Sequence, residues 1–119
     1  MDQANNCIPL CQTTDFSPEE VREFTIEINN KITDIFVIHK HNQFHAYINQ
    51  CPHTGVTLNW QPNQFFDIEN KFIQCATHGA LFRVNDGHCV RGPCVGKNLF
   101  ALELMVKDHQ LLLQIAPGL

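Results

Sequence analysis

The sequence lacks the features of a membrane-spanning or nucleic-acid-binding chain. No apolar stretch is long enough to cross a bilayer, and the first six residues carry no positive charge. Neither a transmembrane helix nor a secretory signal is therefore predicted. Basic residues form no block, because 8 Lys and Arg stand against 12 Asp and Glu, a formal net charge of −4. This balance argues against binding to nucleic acid or to an anionic membrane, and we expect a cytoplasmic protein.

Charged residues are also few. They make up 17% of the 119 residues, against 44% hydrophobic residues, so the chain is expected to fold rather than remain disordered. The length suits a single core, and we interpret residues 1–119 as one domain. Six cysteines could form a disulfide framework. In a reducing compartment, ligation of a metal or cluster is the better interpretation for most of them.

Helix signals are scarce, and most segments have the pattern of short strands. Ser17-Pro18-Glu19-Glu20 has a capping residue and an early proline, which predicts one or two helical turns or only a turn. Turns are predicted at 41–42, 85–87 and 108–109. This pattern predicts an all-β fold, a small sandwich or barrel whose last two strands pair antiparallel. The predicted strands are 22–28, 35–38, 44–49, 72–75, 81–84, 100–106 and 111–115.

Two segments repeat one chemical theme, a cysteine followed closely by a histidine and then a glycine. The first is C-P-H-T-G, beginning at Cys51, and the second is C-A-T-H-G, beginning at Cys75. Residues two apart in an extended chain point the same way, so Cys51 and His53 can face a common centre. Cys75 and His78 can converge around a turn, because the glycine beyond them lets the backbone bend sharply. The four side chains are candidate ligands of a metal or cluster.

This pattern resembles the Rieske iron–sulfur proteins over about residues 32–115. The resemblance implies an antiparallel three-sheet β-sandwich with two cluster-binding loops at one tip. It also implies one [2Fe-2S] cluster per chain, with one iron held by Cys51 and Cys75 and the other by His53 and His78. The segments that carry the resemblance are Ile48–His53, Cys75–Phe82, Asn85–Gly87 and Gly92–Cys94.

The same resemblance divides the chain into functional segments. It places the cluster-binding loops at about 51–58 and 75–82 and a proline loop beside the cluster at about 91–96, after an N-terminal extension over 1–20. Twenty-one residues separate the first candidate histidine from the second candidate cysteine, which is longer than usual for the family. We place the excess in the polar segment Gln61–Asn70, where added length costs little closure entropy.

The resemblance implies a soluble ferredoxin that carries single electrons for an oxygenase or reductase partner. Histidine ligation suits this task, because two thiolates leave the oxidised centre neutral, and a neutral centre accepts an electron more easily than an anionic one. The chain alone shows no nucleophile–base pair, so we expect no catalysis by it. An alternative is an accessory or regulatory subunit, similar to the small subunit of nitrite reductase, although such a subunit has no need of the four ligands.

A structural zinc site is the alternative for the same four side chains, since two cysteines and two histidines are a common zinc set. Zinc motifs usually pair like residues within each short segment. Here each segment mixes one cysteine with one histidine, which favours the cluster.

Side chains near the ligands predict a low reduction potential. High-potential relatives have a disulfide between the cluster loops, at places held here by Val56 and Thr77. They also have a serine and a tyrosine that donate hydrogen bonds to sulfur, at places held here by Ala80 and Phe82. Neither of these two side chains can donate a hydrogen bond.

The remaining cysteines, histidines and aromatic residues have simpler interpretations. Cys7 and Cys11 precede the region of resemblance and are interpreted as free thiols. Cys89 and Cys94 are expected to be two buried thiols rather than a disulfide, with Pro93 packed near the cluster. The histidines expected not to be ligands are His39, His41, His45, His88 and His109, and the phenylalanines expected in the core are Phe36, Phe44, Phe72 and Phe100.

Overall fold

The computed structural model describes residues 7–28, 30–52, 57–59, 65–67, 71–76 and 79–114. Within these ranges the chain forms nine β-strands and one 3₁₀ turn, Thr13–Asp15, and it contains no helix long and apolar enough to cross a membrane. The strands are β1 Cys7–Gln12, β2 Val21–Ile28, β3 Lys31–Lys40, β4 Gln43–Ile48, β5 Phe72–Gln74, β6 Leu81–Arg83, β7 Cys89–Arg91, β8 Ala101–Lys107 and β9 Gln110–Gln114.

The strands form two antiparallel sheets. The larger has the order β1-β9-β8-β4-β3-β2, and the smaller has the order β5-β6-β7. The larger sheet narrows in its middle, where β4 and β8 share only the pairs Ala46–Leu102 and Tyr47–Ala101. This narrow junction divides it into two three-stranded parts, β1-β9-β8 and β4-β3-β2, which together with the smaller sheet correspond to the three sheets that the resemblance implied. The prediction of an all-β fold is confirmed.

Two of the hairpins turn through residues with left-handed backbone. His41 and Asn42 have φ of 53° and 63°, and Asp108 and His109 have φ of 53° and 65°. Two consecutive residues with positive φ match the right-handed twist of the strands that they join. The turns predicted at both places are confirmed, as is the antiparallel pairing of β8 with β9.

Strand β3 has a core on each of its faces. Ile35 and Val37 pack with β4, β8 and β9 residues in one core, whereas Phe36 and Ile38 belong to the other. Alternate residues of a strand point to opposite faces, so a strand buried on both sides needs an unbroken apolar run. All four residues are fully buried, which explains the run in the sequence.

Residues Cys7–Gln12 form a strand of the larger sheet, although an N-terminal extension was expected over residues 1–20. Strand β1 pairs with β9 along its length, with a register shift between Pro9 and Cys11. Proline and irregular pairing are typical of an edge strand, and they obscure the alternation by which strands are recognised. Further on, Ser17–Glu20 forms only a turn, in which the Glu20 carboxylate accepts a hydrogen bond of 2.6 Å from the Ser17 N–H.

The segment around Phe65 is anchored in the core, although it was assigned to a polar loop. The Phe65 ring stacks on Phe36, with centroids 4.2 Å apart and an interplanar angle of 16°. Its carbonyl accepts a hydrogen bond of 2.7 Å from Gln74 N–H, and the Asp67 N–H donates one of 2.9 Å to the Phe72 carbonyl. Residues 65–67 therefore lie along the edge of β5.

Phe100 is 54% exposed, so its assignment to the core was wrong. Phe100 lies immediately before β8, and its side chain is not covered by a packed layer. Phe36 is fully buried as predicted, and Phe44 and Phe72 are half-buried.

We expect Phe65→Ala to lower the free energy of unfolding by about 3–5 kcal/mol, because it removes a buried ring and leaves a cavity against Phe36. Phe100→Ala is the matched control, since the same change at an exposed ring should cost much less. Urea denaturation followed by circular dichroism measures both. Equal losses for the two variants would contradict the role given to Phe65.

Candidate metal centre

Cys51 and Cys75 occupy equivalent positions, each just beyond the end of a strand. Cys51 follows β4 and Cys75 follows β5 directly. Their side chains are 1% and 0% exposed and belong to the same core. The family resemblance also implies buried cysteines with the two histidines at the surface, and the burial of both cysteines is confirmed. His53 and His78 lie outside the described residues, so the structure tests neither their placement nor their exposure.

Asn49 closes the loop that carries Cys51. It is the buried polar residue of the described chain, 6% exposed. Its side-chain oxygen accepts a hydrogen bond of 2.8 Å from the Leu58 N–H. The backbone N–H of Asn49 donates one of 2.8 Å to the Asp34 carbonyl. The side chain thus joins the residue before the loop to the residue after it. A buried amide with these partners avoids the cost of an unpaired polar group.

The same side chain connects the loop to strand β2. Asn49 Nδ2 donates to Asn59 Oδ1 at 2.9 Å, and Asn59 Nδ2 donates to Glu23 Oε2 at 3.0 Å. The loop that carries Cys51 is therefore fixed to the larger sheet by side chains as well as by backbone. Sequence analysis missed Asn49, although a polar residue between the buried strand β4 and a candidate ligand was a usable signal.

The loop that carries Cys75 is closed by its own backbone. Cys75 N–H donates to the Ala80 carbonyl at 2.9 Å, and Gly79 N–H donates to the Cys75 carbonyl at 2.8 Å. Gly79 has a φ of 72°, which favours glycine. Ala76 N–H then donates to the Leu58 carbonyl at 2.7 Å. That bond joins the second cysteine loop to the end of the first.

A third segment, the proline loop over residues 92–96, lies against the second. Gly92 has a φ of 105°, and a Cβ placed on it would lie 2.7 Å from the Ala80 Cα. Glycine is therefore required both by the backbone angle and by the close approach. Pro93 is exposed, whereas Cys94 is 1% exposed and lies in the core with the two candidate ligand cysteines.

The electrostatics of Cys94 reflect these surroundings. The pKa of its thiol is raised to about 12, mainly by burial and next by the neighbouring Cys89. Cys51 and Cys75 contribute smaller effects of the same sign. Thiolates at the two candidate ligand positions therefore disfavour a third negative charge at Cys94, which stays protonated at neutral pH.

The described residues fit part of a cluster site, whose other candidate ligands lie outside them. Cys51 and Cys75 supply two buried sulfur ligands on loops that are hydrogen-bonded to each other. The described parts of the chain hold no group of three or more Cys, His, Asp or Glu that could bind a metal by themselves. Cys89 and Cys94 thus do not complete a four-cysteine site. The other two candidate ligands, His53 and His78, lie outside the described residues.

Histidines outside the motif have other contacts. His39 lies with its ring stacked on Phe44, with centroids 4.6 Å apart, and its Nδ1 is 3.1 Å from the Ser17 carbonyl oxygen. His88 Nδ1 lies 2.7 Å from Asn98 Oδ1. Neither contact directs an imidazole towards the two buried cysteines.

We expect Asn49→Ala to lower the free energy of unfolding by about 1–3 kcal/mol, because it leaves the buried Leu58 N–H without its acceptor. Asn98→Ala also removes a side-chain hydrogen bond, but at an exposed position, and should change stability little. Urea denaturation measures both variants. A cost for Asn49→Ala no larger than that for Asn98→Ala would show that the loop closure does not depend on this amide.

Comparisons with known proteins agree with this geometry. The family model described as the Rieske [2Fe-2S] domain matches residues 6–111. No curated protein sequence matched the chain.

Solved structures share the fold at low sequence identity. A chain from a complex of reduced oxygenase and oxidised ferredoxin in carbazole 1,9a-dioxygenase is 22% identical, with a TM-score of 0.73 and 99% of both chains covered. The ferredoxin of carbazole 1,9a-dioxygenase from Nocardioides aromaticivorans IC177 is 20% identical, with a TM-score of 0.67, covering 92% of this chain and 99% of that one.

A terminal oxygenase of carbazole 1,9a-dioxygenase from Novosphingobium sp. KA1 is 17% identical with a TM-score of 0.77, and the match covers 97% of this chain but 31% of the oxygenase. The [2Fe-2S] cluster is the cofactor of the matching family, as the sequence predicted. Because the family model spans nearly the whole chain, this protein belongs to the Rieske [2Fe-2S] domain family.

Proposed function

We propose that this protein is a Rieske-type ferredoxin, a carrier of single electrons between protein partners in the cytoplasm. The observation that carries the proposal is the pair of buried cysteines, Cys51 and Cys75, on two loops joined by a hydrogen bond, in a chain of this family. The likeness to a dioxygenase ferredoxin over nearly the full length of both chains supports it.

The chain is proposed to act with an oxygenase or reductase rather than as an enzyme. Its match to a terminal oxygenase covers 31% of that protein, whereas its match to a dioxygenase ferredoxin covers 99% of that chain. A structure of a related fold is described as a complex of oxygenase and ferredoxin. By analogy, this chain would dock onto a separate partner and exchange an electron with it.

The proposed ligands are Cys51, His53, Cys75 and His78. When bound, a [2Fe-2S] cluster accepts and returns one electron. The chain's own part is to hold the two thiolates in a buried core and to fix the spacing of their loops. Asn49 fixes the first loop, and the Ala76 N–H joins the second loop to it. Fixed loops limit the rearrangement that accompanies electron transfer.

We expect each of the variants Cys51→Ala, His53→Ala, Cys75→Ala and His78→Ala to lose the cluster, because an iron would keep only one of its two protein ligands. Electron paramagnetic resonance of the dithionite-reduced protein, with iron analysis, measures the loss. The unchanged protein should give the rhombic signal of a centre with mixed cysteine and histidine ligands.

Cys7→Ala is the matched control, because Cys7 is a half-buried thiol on β1 and outside the motif. It should keep both the iron and the signal. Zinc without iron in the unchanged protein would favour the structural zinc site, and an iron-free folded protein would favour an accessory subunit. Full iron in any of the four ligand variants would contradict its assignment.

We further propose that the centre has a low potential. Ala80 and Phe82 are both fully buried in the core that holds the candidate ligand cysteines. Neither side chain can donate a hydrogen bond to sulfur, so the added electron lacks two stabilising contacts. Hydrogen bonds to charged groups contribute about 1.5–3 kcal/mol each. Rieske centres span roughly −150 to +300 mV, and we place this one near the lower end.

The double variant Ala80→Ser with Phe82→Tyr should raise the midpoint potential by on the order of 100 mV, since only part of each hydrogen-bond energy differs between oxidation states. Protein-film voltammetry at neutral pH measures the shift, and thermal unfolding shows whether the variant folds. Ala101→Ser with Phe100→Tyr makes the same chemical changes at exposed positions and should leave the potential unchanged. A midpoint well above about +100 mV for the unchanged protein would defeat the proposal.

A further inference from the structure

Two buried cysteines, Cys89 and Cys94, form a contact that the cluster site does not use. Their side chains are 0% and 1% exposed, and their sulfur atoms lie 3.2 Å apart, with the Cys94 thiol donating to Cys89. The Cys89 thiol in turn lies 3.2 Å from the Arg91 carbonyl oxygen, to which it donates. Both thiols therefore have partners, and each is directed into a confined space.

The backbone fixes the two cysteines opposite each other. Cys89 N–H donates to the Lys97 carbonyl at 2.9 Å, and Lys97 N–H donates to the Cys94 carbonyl at 2.9 Å. Lys97 thus anchors both cysteines across a loop of four intervening residues. A disulfide requires sulfur atoms about 2.05 Å apart, so a small side-chain movement would close the bond without unfolding the loop.

We propose that Cys89 and Cys94 form a reversible dithiol–disulfide couple, separate from the cluster ligands, whose oxidised form staples the proline loop to β7. The oxidant is a low-molecular-weight disulfide of the glutathione type. The two thiols together lose two protons and two electrons as their sulfur–sulfur bond forms. The small disulfide takes up the two electrons and the two protons, so its sulfur–sulfur bond breaks and two small thiols are released.

The other four cysteines are unsuited to this pairing. Cys51 and Cys75 are the proposed cluster ligands. Cys7 and Cys11 lie on one strand, four residues apart, which is about 13 Å in an extended chain. That distance exceeds the span of a disulfide. Within the described residues, Cys89 and Cys94 are thus the pair suited to bond formation, and Cys7 and Cys11 provide internal controls.

Burial determines how fast the couple reacts. Both sulfur atoms are covered in the folded protein, so a small disulfide cannot reach either of them directly. Exchange therefore requires local opening of the segment 91–97, whose residues other than Cys94 are exposed. The pair should equilibrate slowly with a redox buffer and should resist alkylation in the native protein.

The staple would act on the wall of the cluster site. Gly92 lies between the two cysteines in sequence, and its Cα approaches Ala80 so closely that a Cβ would be 2.7 Å from the Ala80 Cα. Ala80 accepts the hydrogen bond from the Cys75 N–H. Joining Cys89 to Cys94 would hold Gly92 in this position and limit opening beside the proposed ligand loop.

The test is to equilibrate the intact protein anaerobically in glutathione buffers of graded potential, then quench with acid, alkylate under denaturing conditions and digest with trypsin. Cleavage after Arg83, Arg91 and Lys97 separates the two cysteines. The expected product is a disulfide-linked pair of peptides, 84–91 with 92–97, that dithiothreitol converts back. The fraction of linked peptides should rise with the buffer potential along the curve of a two-electron couple.

The linked peptides should persist in a Cys7→Ser, Cys11→Ser double variant and disappear in Cys94→Ser. If Cys94→Ser does not fold, the redox series on the unchanged protein still decides the matter. Full alkylation of Cys89 and Cys94 at every potential would overturn the couple, and so would links from either residue to Cys51 or Cys75. This readout does not depend on the cluster, so failure of the proposed function would be seen separately by electron paramagnetic resonance.

A second measurement tests the staple. The rate at which visible absorbance is lost on warming should be several-fold slower in the disulfide form than in the dithiol form. Equal rates in the two forms would overturn the proposed effect on the cluster site. The proposed dithiol–disulfide couple would still be tested separately by the peptide analysis.

Discussion

The backbone hydrogen bond from Ala76 to Leu58 is the contact on which the arrangement of the site depends. The proposed centre needs its two cysteines at a fixed separation, yet Cys51 and Cys75 follow strands of different sheets. Each loop is closed separately, the first by the Asn49 side chain and the second by its own backbone. Among the described residues, the hydrogen bond between Ala76 and Leu58 joins one closed loop to the other, and Leu58 lies in the same core as both cysteines.

Burial of the cysteines has an electrostatic consequence that extends beyond the ligands. Thiolates in a core of low polarity interact strongly with any charge nearby. Cys94 responds by holding its proton, with its pKa raised to about 12. A protonated Cys94 is neutral and adds no further charge to this core. The proline loop can therefore contribute a buried cysteine to this region without becoming a ligand.

Local residue patterns were sufficient to predict seven of the nine described strands and the turns at 41–42 and 108–109, because these features depend on nearby sequence. The unbroken apolar run at Ile35–Ile38 predicted a strand, and the structure buries its four side chains between two cores. Features that depend on distant partners were missed. Strand β1 is stabilised by β9, nearly a full chain length away, and contains Pro9. Phe65 was assigned to a loop because its partner, Phe36, lies on another sheet. Nothing in the described residues tests the two histidine ligands.

The long connection between the two cysteine loops includes residues 65–67, which pack against the core and pair with β5. A connection that was merely longer would be a polar surface loop with few contacts. Here Phe65 fills the core, and Phe66 forms a bridge with Ile73 on β5. The Asp67 carboxylate accepts hydrogen bonds from Lys71 and Phe72 N–H, which closes the return to the strand. The end of the insertion thus covers the edge of the smaller sheet, on the strand that leads into Cys75. An edge that is already paired cannot bind a partner strand. A redox partner would therefore be recognised through loops and side chains on this side of the molecule, rather than by extension of the sheet.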